Sequence, residues 1–215
     1  MLHLFSRGLS LLLMVECQVR GSNGFFVPRA VLDGGNAISR CTVVACLPRC
    51  SRYSPPVHGN RVMANLHEAD LSEANLRGAD LSGANLLGAD FRGATLEGAN
   101  LGNSVIDENT LFSKNISGVN FEYVDFSNRN FSGYNLNGSS FSHAKLEGAN
   151  FSGTYLVGVN FDSVDLSNRN FSGYDLSGAS FNEANLSGVN LSETSLVGIS
   201  AFNLLSCPSS LPTDW

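Results

Sequence analysis

From Leu66 to Leu196 a large apolar residue, always Leu, Phe or Ile, stands at every fifth position, twenty-seven times in succession. The residue before it is usually Asn or Asp. The residue two before it is usually small, Ala most often, and the residue two after it is most often Gly. A period of five is neither the 3.6 of a helix nor the 2 of a half-buried strand. Five residues turn a helix by about 500°, which would spread the apolar positions around its whole circumference. Gly and Asn at this density would also weaken a helix. Their strict recurrence points instead to a chain that turns at fixed intervals, and self-similarity at a fixed period is the signature of a solenoid. The predicted core is the ladder of centres: Leu66, Leu71, Leu76, Leu81, Leu86, Phe91, Phe121, Phe126, Phe131, Phe141, Phe151, Phe161, Leu166, Phe171 and Phe181, with the others in register between them.

The pattern A-(D/N)-L-x-x, as in Ala64-Asn65-Leu66-His67-Glu68 and Ala79-Asp80-Leu81-Ser82-Gly83, runs in tandem from Ala64 to Gly198. It resembles the pentapeptide-repeat family over about 63% of the chain. The resemblance implies an all-β fold, a right-handed quadrilateral parallel β-helix with one pentad per side and four per coil. Twenty-seven pentads would then make about seven coils, a rod roughly 30 Å long at ~4.8 Å per coil. The centre and the small residue two before it would point inward. Leu66, Leu86, Ile106 and Phe126 would stack in one column. Each buried Leu or Phe contributes roughly 1.5–3 kcal/mol before entropy is subtracted, and stacking alone makes that burial available to each coil.

Two departures stand out. Over residues 103–117 the centres Ile106, Leu111 and Ile116 keep the count of five, but Asn109 and Lys114 fall where a small inward residue is expected, which suggests a bulge that leaves the core count intact. Arg129 and Arg169, then Tyr134 and Tyr174, also stand where Ala is expected. An inward guanidinium without a partner is costly. The favoured reading turns both arginines outward at a corner, and the other pairs them with Asp125 or Asp165. Lys114, Arg129, Arg169, Tyr134 and Tyr174 are therefore the candidate interaction residues. Residues 119–158 and 159–198 agree at 26 of 40 positions. Forty residues are two whole coils, so this duplication keeps every residue on its own side.

Composition divides the chain. Residues 1–61 carry seven Arg against Glu16 and Asp33, and the remainder carries six basic and seventeen acidic residues. The array is therefore acidic, which disfavours contact with a nucleic-acid backbone. Residues 1–62 read as a leader with breakers throughout and are expected to be largely disordered. Three readings of it stand open: a secretory signal, an organelle (chloroplast) transit peptide, or upstream translated sequence with Met63 as the natural start and a cytoplasmic product. Leu9–Val15 is too short to span a bilayer. Cys41, Cys46 and Cys50 form a loose cluster near His58, without the tight pairs of a zinc site, and read as unpaired thiols. Residues 63–200 form the repeat array. Residues 201–215, with Pro208 and Pro212, read as a loop tail, and Trp215 reads as an internal point of a longer parent.

No catalytic constellation is present. His67 and His143 sit at outward positions without a thiol partner, and no HExxH or GxxxxGK[ST] spacing occurs. No catalytic, cofactor-binding or metal-binding residue is assigned and no cofactor is expected. Ser, Glu, Asn and Gly dominate the outward positions. The sequence thus favours a non-enzymatic scaffold offering flat polar and acidic faces to a protein partner, with no nucleic acid and no membrane span. The alternative implied by the resemblance is an acidic DNA mimic that binds a type II topoisomerase, as quinolone-resistance members of the family do. The scattered acids and the lack of a C-terminal dimerisation helix count against it.

Overall fold

The structure, a computed structural model, describes residues 64–213, together with the backbone of two short antiparallel strands, β1 (Val19–Arg20) and β2 (Phe26–Val27). The expectations for the rest of the leader, its cysteines and Trp215 lie outside the described residues.

Each pentad closes the same turn. The carbonyl of the centre accepts the N–H three residues on, as in Ala69 to Leu66 at 3.0 Å and Ala79 to Leu76 at 3.0 Å. The Asn or Asp before the centre accepts the N–H of the residue after it, as in Ser72 to Asp70 at 3.0 Å and Ser132 to Asn130 at 3.0 Å. That is why a short side chain with an oxygen recurs there. The residue two after the centre holds a positive φ, as the third residue of a type II turn must. Gly fills most of these sites, but eleven other residues do so as well, Tyr123 at 61° and His143 at 57° among them.

Successive turns stack in parallel. Bridges join residues twenty apart, beginning Asn65↔Asn85, Asp70↔Asp90, Asn75↔Thr95 and Asp80↔Asn100. Five residues per turn and twenty per coil give a solenoid with four sides. They are called here the first, second, third and fourth, after the columns that start at Leu66, Leu71, Leu76 and Leu81. The centres fill the interior with their neighbouring Ala and Val. On the fourth side Phe121, Phe141, Phe161 and Phe181 form one stack, with successive centroids 5.4, 5.8 and 5.9 Å apart and planes within 28°. Of the named ladder only Leu71 is partly exposed.

The count of five fails once. Strand β3 (Asp90–Phe91) pairs in parallel with β4 (Leu111–Phe112) at an offset of twenty-one, Asp90 facing Leu111 and Phe91 facing Phe112. Phe112 therefore takes the core position, 5% exposed and stacked on Phe91 at 5.5 Å and 7°, and Leu111 is 38% exposed. This corrects the expectation that Leu111 is a core centre. The inserted residue lengthens one side to six and the next side has four, since Asn115 again pairs with Asn135 twenty residues on. The small inward places fall accordingly to Thr110 and Ser113, not to Asn109 and Lys114, both exposed. Thr110 Oγ1 donates to Leu86 O at 2.9 Å, and Ser113 Oγ reaches Phe91 O at 3.0 Å and Ala94 O at 2.9 Å. A hydroxyl at each place satisfies carbonyls of the preceding coil that the altered path leaves open.

Past residue 200 the chain does not leave as a loop. Ser206 pairs with Asn185 and Ser210 with Asn190, and Leu205 N–H donates to Ala184 O at 2.9 Å. The tail thus lies across the last coil and satisfies its open backbone edge.

Candidate interaction surface

The turn geometry decides what faces outward. The residue before each centre and the two after it point to solvent, so each side presents three columns of polar residues. Many of these side chains pair along the rod: Asn120 Nδ2 donates to Asn100 Oδ1 at 3.0 Å, Asn150 to Asn130 at 3.1 Å and Asn185 to Asp165 at 3.1 Å. The acids are similarly engaged. Arg77 meets Glu97 at 2.6 Å, Arg92 meets Asp90 at 2.6 Å and Lys145 meets Asp125 at 3.2 Å. Exposed pairs of this kind add little stability, but they lower the field the surface presents.

The carboxyls before the centres are held as anions. The Arg92 guanidinium keeps Asp90 below the usual carboxylate range, and the Ser127 and Ser177 hydroxyls and amides do the same for Asp125 and Asp175. The Ser167 amide lowers Asp165. At Asp107 burial works upward, but donation from Gly88 N–H at 2.9 Å, Thr110 and Asn109 outweighs it and the group also lies low. Each of these acids has hydrogen bonds that stabilise its charged form.

The five residues singled out by sequence flank the second side, Arg129 and Arg169 at its corner with the first side and Lys114, Tyr134 and Tyr174 at its corner with the third. Arg129 is half-buried; its Nη1 donates to Asp107 O at 3.0 Å, its Nη2 to Thr110 O, and its carbon lies 5.3 Å from the Phe112 ring centre. Burial pushes this guanidinium down from its ordinary pKa. Arg169 donates to Leu146 O at 2.5 Å and Ala149 O at 2.6 Å. Both arginines thus donate through their Nη atoms to turn carbonyls of the coil before them. They are neither turned out to solvent nor bonded to Asp125 or Asp165. The contact residues 107 and 110 stand one place later relative to Arg129 than 146 and 149 do to Arg169, which is the inserted residue seen from a second vantage. Tyr134 is buried, and Tyr174 Oη donates to Phe151 O at 2.8 Å and accepts Gly153 N–H at 3.1 Å. Lys114 alone of the five is exposed; its Nζ donates to Ser132 O at 2.8 Å and sits 4.1 Å over the Tyr134 ring. Beside Arg169 a cleft of ≈ 190 Å³ opens between coils, lined by Asn150, Ser152, Asn168, Asn170 and Tyr174 among others.

What sequence reasoning missed is apolar. On the third side Tyr155 is 64% exposed, Val157 39% and Val197 74%. Tyr123 and His143 stack in parallel at 4.6 Å where the fourth side turns to the first. The available signal was residue type at outward places that otherwise hold Ser, Asn, Glu or Gly. Among the described residues no three His, Cys, Asp or Glu converge as a metal site would require, and no helix is long and apolar enough to cross a membrane.

Comparison with known proteins agrees with this repeat. A family profile described as pentapeptide repeats, in eight copies, matches residues 64–103, and one described as a pentapeptide repeat region matches residues 114–196. The interval between them is the stretch where the count of five fails. None of the curated proteins compared with the chain matches it. Among solved structures, HetL is a pentapeptide repeat protein involved in heterocyst differentiation regulation from the cyanobacterium Nostoc sp. It is 28% identical over 67% of this chain and 72% of its own, with a TM-score of 0.33. A trypsin-treated form of QnrB1, a plasmid-mediated fluoroquinolone resistance protein, is 20% identical over 65% of this chain and 90% of its own, with a TM-score of 0.38. A pentapeptide repeat protein from the Arabidopsis thaliana thylakoid lumen is 24% identical over 55% and 61%, with a TM-score of 0.23. With its pentads matched on both flanks of the irregular turn, the chain belongs to the pentapeptide-repeat family.

Proposed function

We propose that this chain is a non-enzymatic scaffold, a right-handed quadrilateral β-helix of about seven coils that offers a flat side to a protein partner. The observation that carries the reading is the third side. There Tyr155, Val157 and Val197 stand exposed on a surface whose other outward residues are polar and largely paired with one another. Exposed aromatic and aliphatic side chains on a rigid sheet suit a protein interface, where aromatic anchors carry much of the binding energy. The alternative is an acidic DNA mimic directed at a type II topoisomerase. The acidic balance of the array supports it, but Arg77, Arg92 and Lys145 each sit against a carboxylate and lower the charge density such mimicry needs.

Two assays separate these readings. A gyrase supercoiling assay with micromolar full chain should show neither inhibition nor protection from a poison, and either effect would overturn the scaffold reading in favour of the mimic. Quantitative affinity capture with the full chain should yield a partner whose binding, rebuilt from purified components, falls at least about tenfold for Tyr155→Ser/Val197→Ser. Undiminished binding by that variant would remove the third side as the interface.

A further inference from the structure

The sequence Arg-Asn-Phe-Ser-Gly-Tyr occurs twice, at 129–134 and 169–174, on the same sides of the solenoid. The backbone ladder is interrupted at both. On the first side Asp125 pairs with Lys145 and Asp165 with Asn185, but no bridge joins Val105 to Asp125 or Lys145 to Asp165. On the second side Asn130 pairs with Asn150 and Asn170 with Asn190, but Leu111 and Asn130 do not pair, nor do Asn150 and Asn170. On the third side Tyr155 and Asp175 do not pair at the second interruption, although Gly158 N–H still donates to Ser177 O at 2.8 Å. At the first interruption Asn115 pairs with Asn135, and the absent Thr95–Asn115 bridge lies one interface earlier. Only the fourth side is unbroken, from Asp80 through Asn100, Asn120, Ser140, Asn160 and Ser180 to Ser200.

Side chains stand where the missing rungs would be. At intact interfaces Asn150 N–H donates to Arg129 O at 2.9 Å and Gly133 N–H to Ser152 O at 3.0 Å. At the second interruption Ala149 O receives Arg169 Nη1 in place of Asn170 N–H, and Gly153 N–H donates to the Tyr174 hydroxyl in place of Ser172 O. Phe151 and Phe171 are 6.2 Å apart and tilted by 49° across it, against 5.5 Å and 15° for Phe131 and Phe151 at the intact interface before. The two buried polar side-chain atoms left without a partner among the described residues, Ser104 Oγ and Arg169 Nε, also lie at the two interruptions.

We propose that each Arg–Tyr pair is a wedge that opens a seam on the first and second sides, reaching onto the third at Arg169 and Tyr174, and leaves three blocks that flex about the sides that stay paired. An Ala at these places lets coils close to the ordinary rung distance. A guanidinium and a phenol cannot fit there, and each substitutes its own hydrogen bonds for the backbone's. The rod is therefore jointed, and a partner bound across a seam meets a surface that can open on the first and second sides.

Residue-level hydrogen exchange on the full chain tests this. The amides of Asn170 and Phe151 should exchange roughly tenfold or more faster than those of Asn150 and Phe131, their counterparts at the intact interface. In Arg169→Ala/Tyr174→Ala the second seam should close and Asn170 should slow to the rate of Asn150. Ala149→Arg/Thr154→Tyr should open a new seam and speed Asn150 by a similar factor. Equal exchange of Asn170 and Asn150 in the unsubstituted chain would overturn the proposal without any variant. So would an unchanged Asn170 rate in a folded Arg169→Ala/Tyr174→Ala.

Discussion

The six-then-four pair of sides sets Leu111 against Phe112, and substituting each in turn measures which one the core uses. Phe112→Ala removes a ring that is almost fully enclosed, stacked on Phe91 and covered by the Arg129 guanidinium. Truncating a buried Phe costs about 3–5 kcal/mol. Loss of the cation–π contact, about 0.5–1 kcal/mol, places the expected cost near the upper end. Leu111→Ala removes a side chain that already keeps two-fifths of its surface in water. Leu→Ala removes three carbons, and at ~0.8 kcal/mol per fully buried carbon, scaled by that exposure, the cost is about 1.5 kcal/mol. Urea unfolding followed by far-UV circular dichroism, with the denaturant slope checked for constancy, reads both. The expected order is a large shift of the midpoint for Phe112→Ala and a small one for Leu111→Ala. A larger loss for Leu111→Ala would mean that the count of five runs unbroken and that the offset of twenty-one is wrong.

Other outcomes follow from the turns and their acids. Gly148→Ala and Gly133→Ala should each cost about 1 kcal/mol by thermal melting, because both hold a positive φ, and the Asn128 Oδ1 that the new Cβ would meet at Gly148 ends an exposed side chain free to turn away. Glu193→Gly, at a φ of 58° and exposed, should raise stability by about 1 kcal/mol in the same measurement. Stability should fall as pH drops below the ordinary carboxylate value of about 3.9, since Asp125 and Asp165 titrate lower when folded. Their contribution is complete above the unfolded value and is lost through the folded one. Asp125→Asn/Asp165→Asn keeps the Oδ1 acceptor of the turn and should flatten the acid limb of urea midpoints measured from pH 7 to pH 2.5.

Much of the fold was legible because one residue in five carries it. Leu, Phe and Ile at the centre, a short amide or carboxylate before it and Gly after it each answer one requirement of the turn, and each is readable without a neighbour in view. The irregular turn was harder. Leu and Phe stand side by side at 111 and 112, both large and apolar, and composition gives no reason to choose the second. Thr110 and Ser113 hold the information, since their hydroxyls find carbonyls only after the shift, but a hydroxyl on an Ser-rich chain is no signal by itself. The arginines were misjudged for a related reason. Charge argued for solvent or for an acid, whereas turn carbonyls twenty residues away, invisible in the linear sequence, can serve a guanidinium as well. The exposed Tyr155, Val157 and Val197 needed the sides to be assigned before they could be seen to share one.

The spacing of the two Arg–Tyr pairs follows from what a coil can lose. A coil has two backbone edges, one toward each neighbour, and a wedge removes pairing along at least two sides of one of them. Wedges at consecutive interfaces would leave the coil between them unpaired along its first and second sides on both edges, with those N–H and C=O groups dependent on side chains or water. Wedges forty residues apart leave every coil one interface without a wedge. Residues 149 and 189, at the same corner on the alternate coils, are Ala and Val, and 154 and 194, at the next, are Thr. The Thr hydroxyls bond to Phe151 O at 2.7 Å and Phe171 O at 2.8 Å from the enclosed side chain position, without spreading the coils. A duplication of two coils copies wedge and intact interface together, and so extends the rod without removing the pairing that holds each block; a duplication of one coil from the wedged half would not.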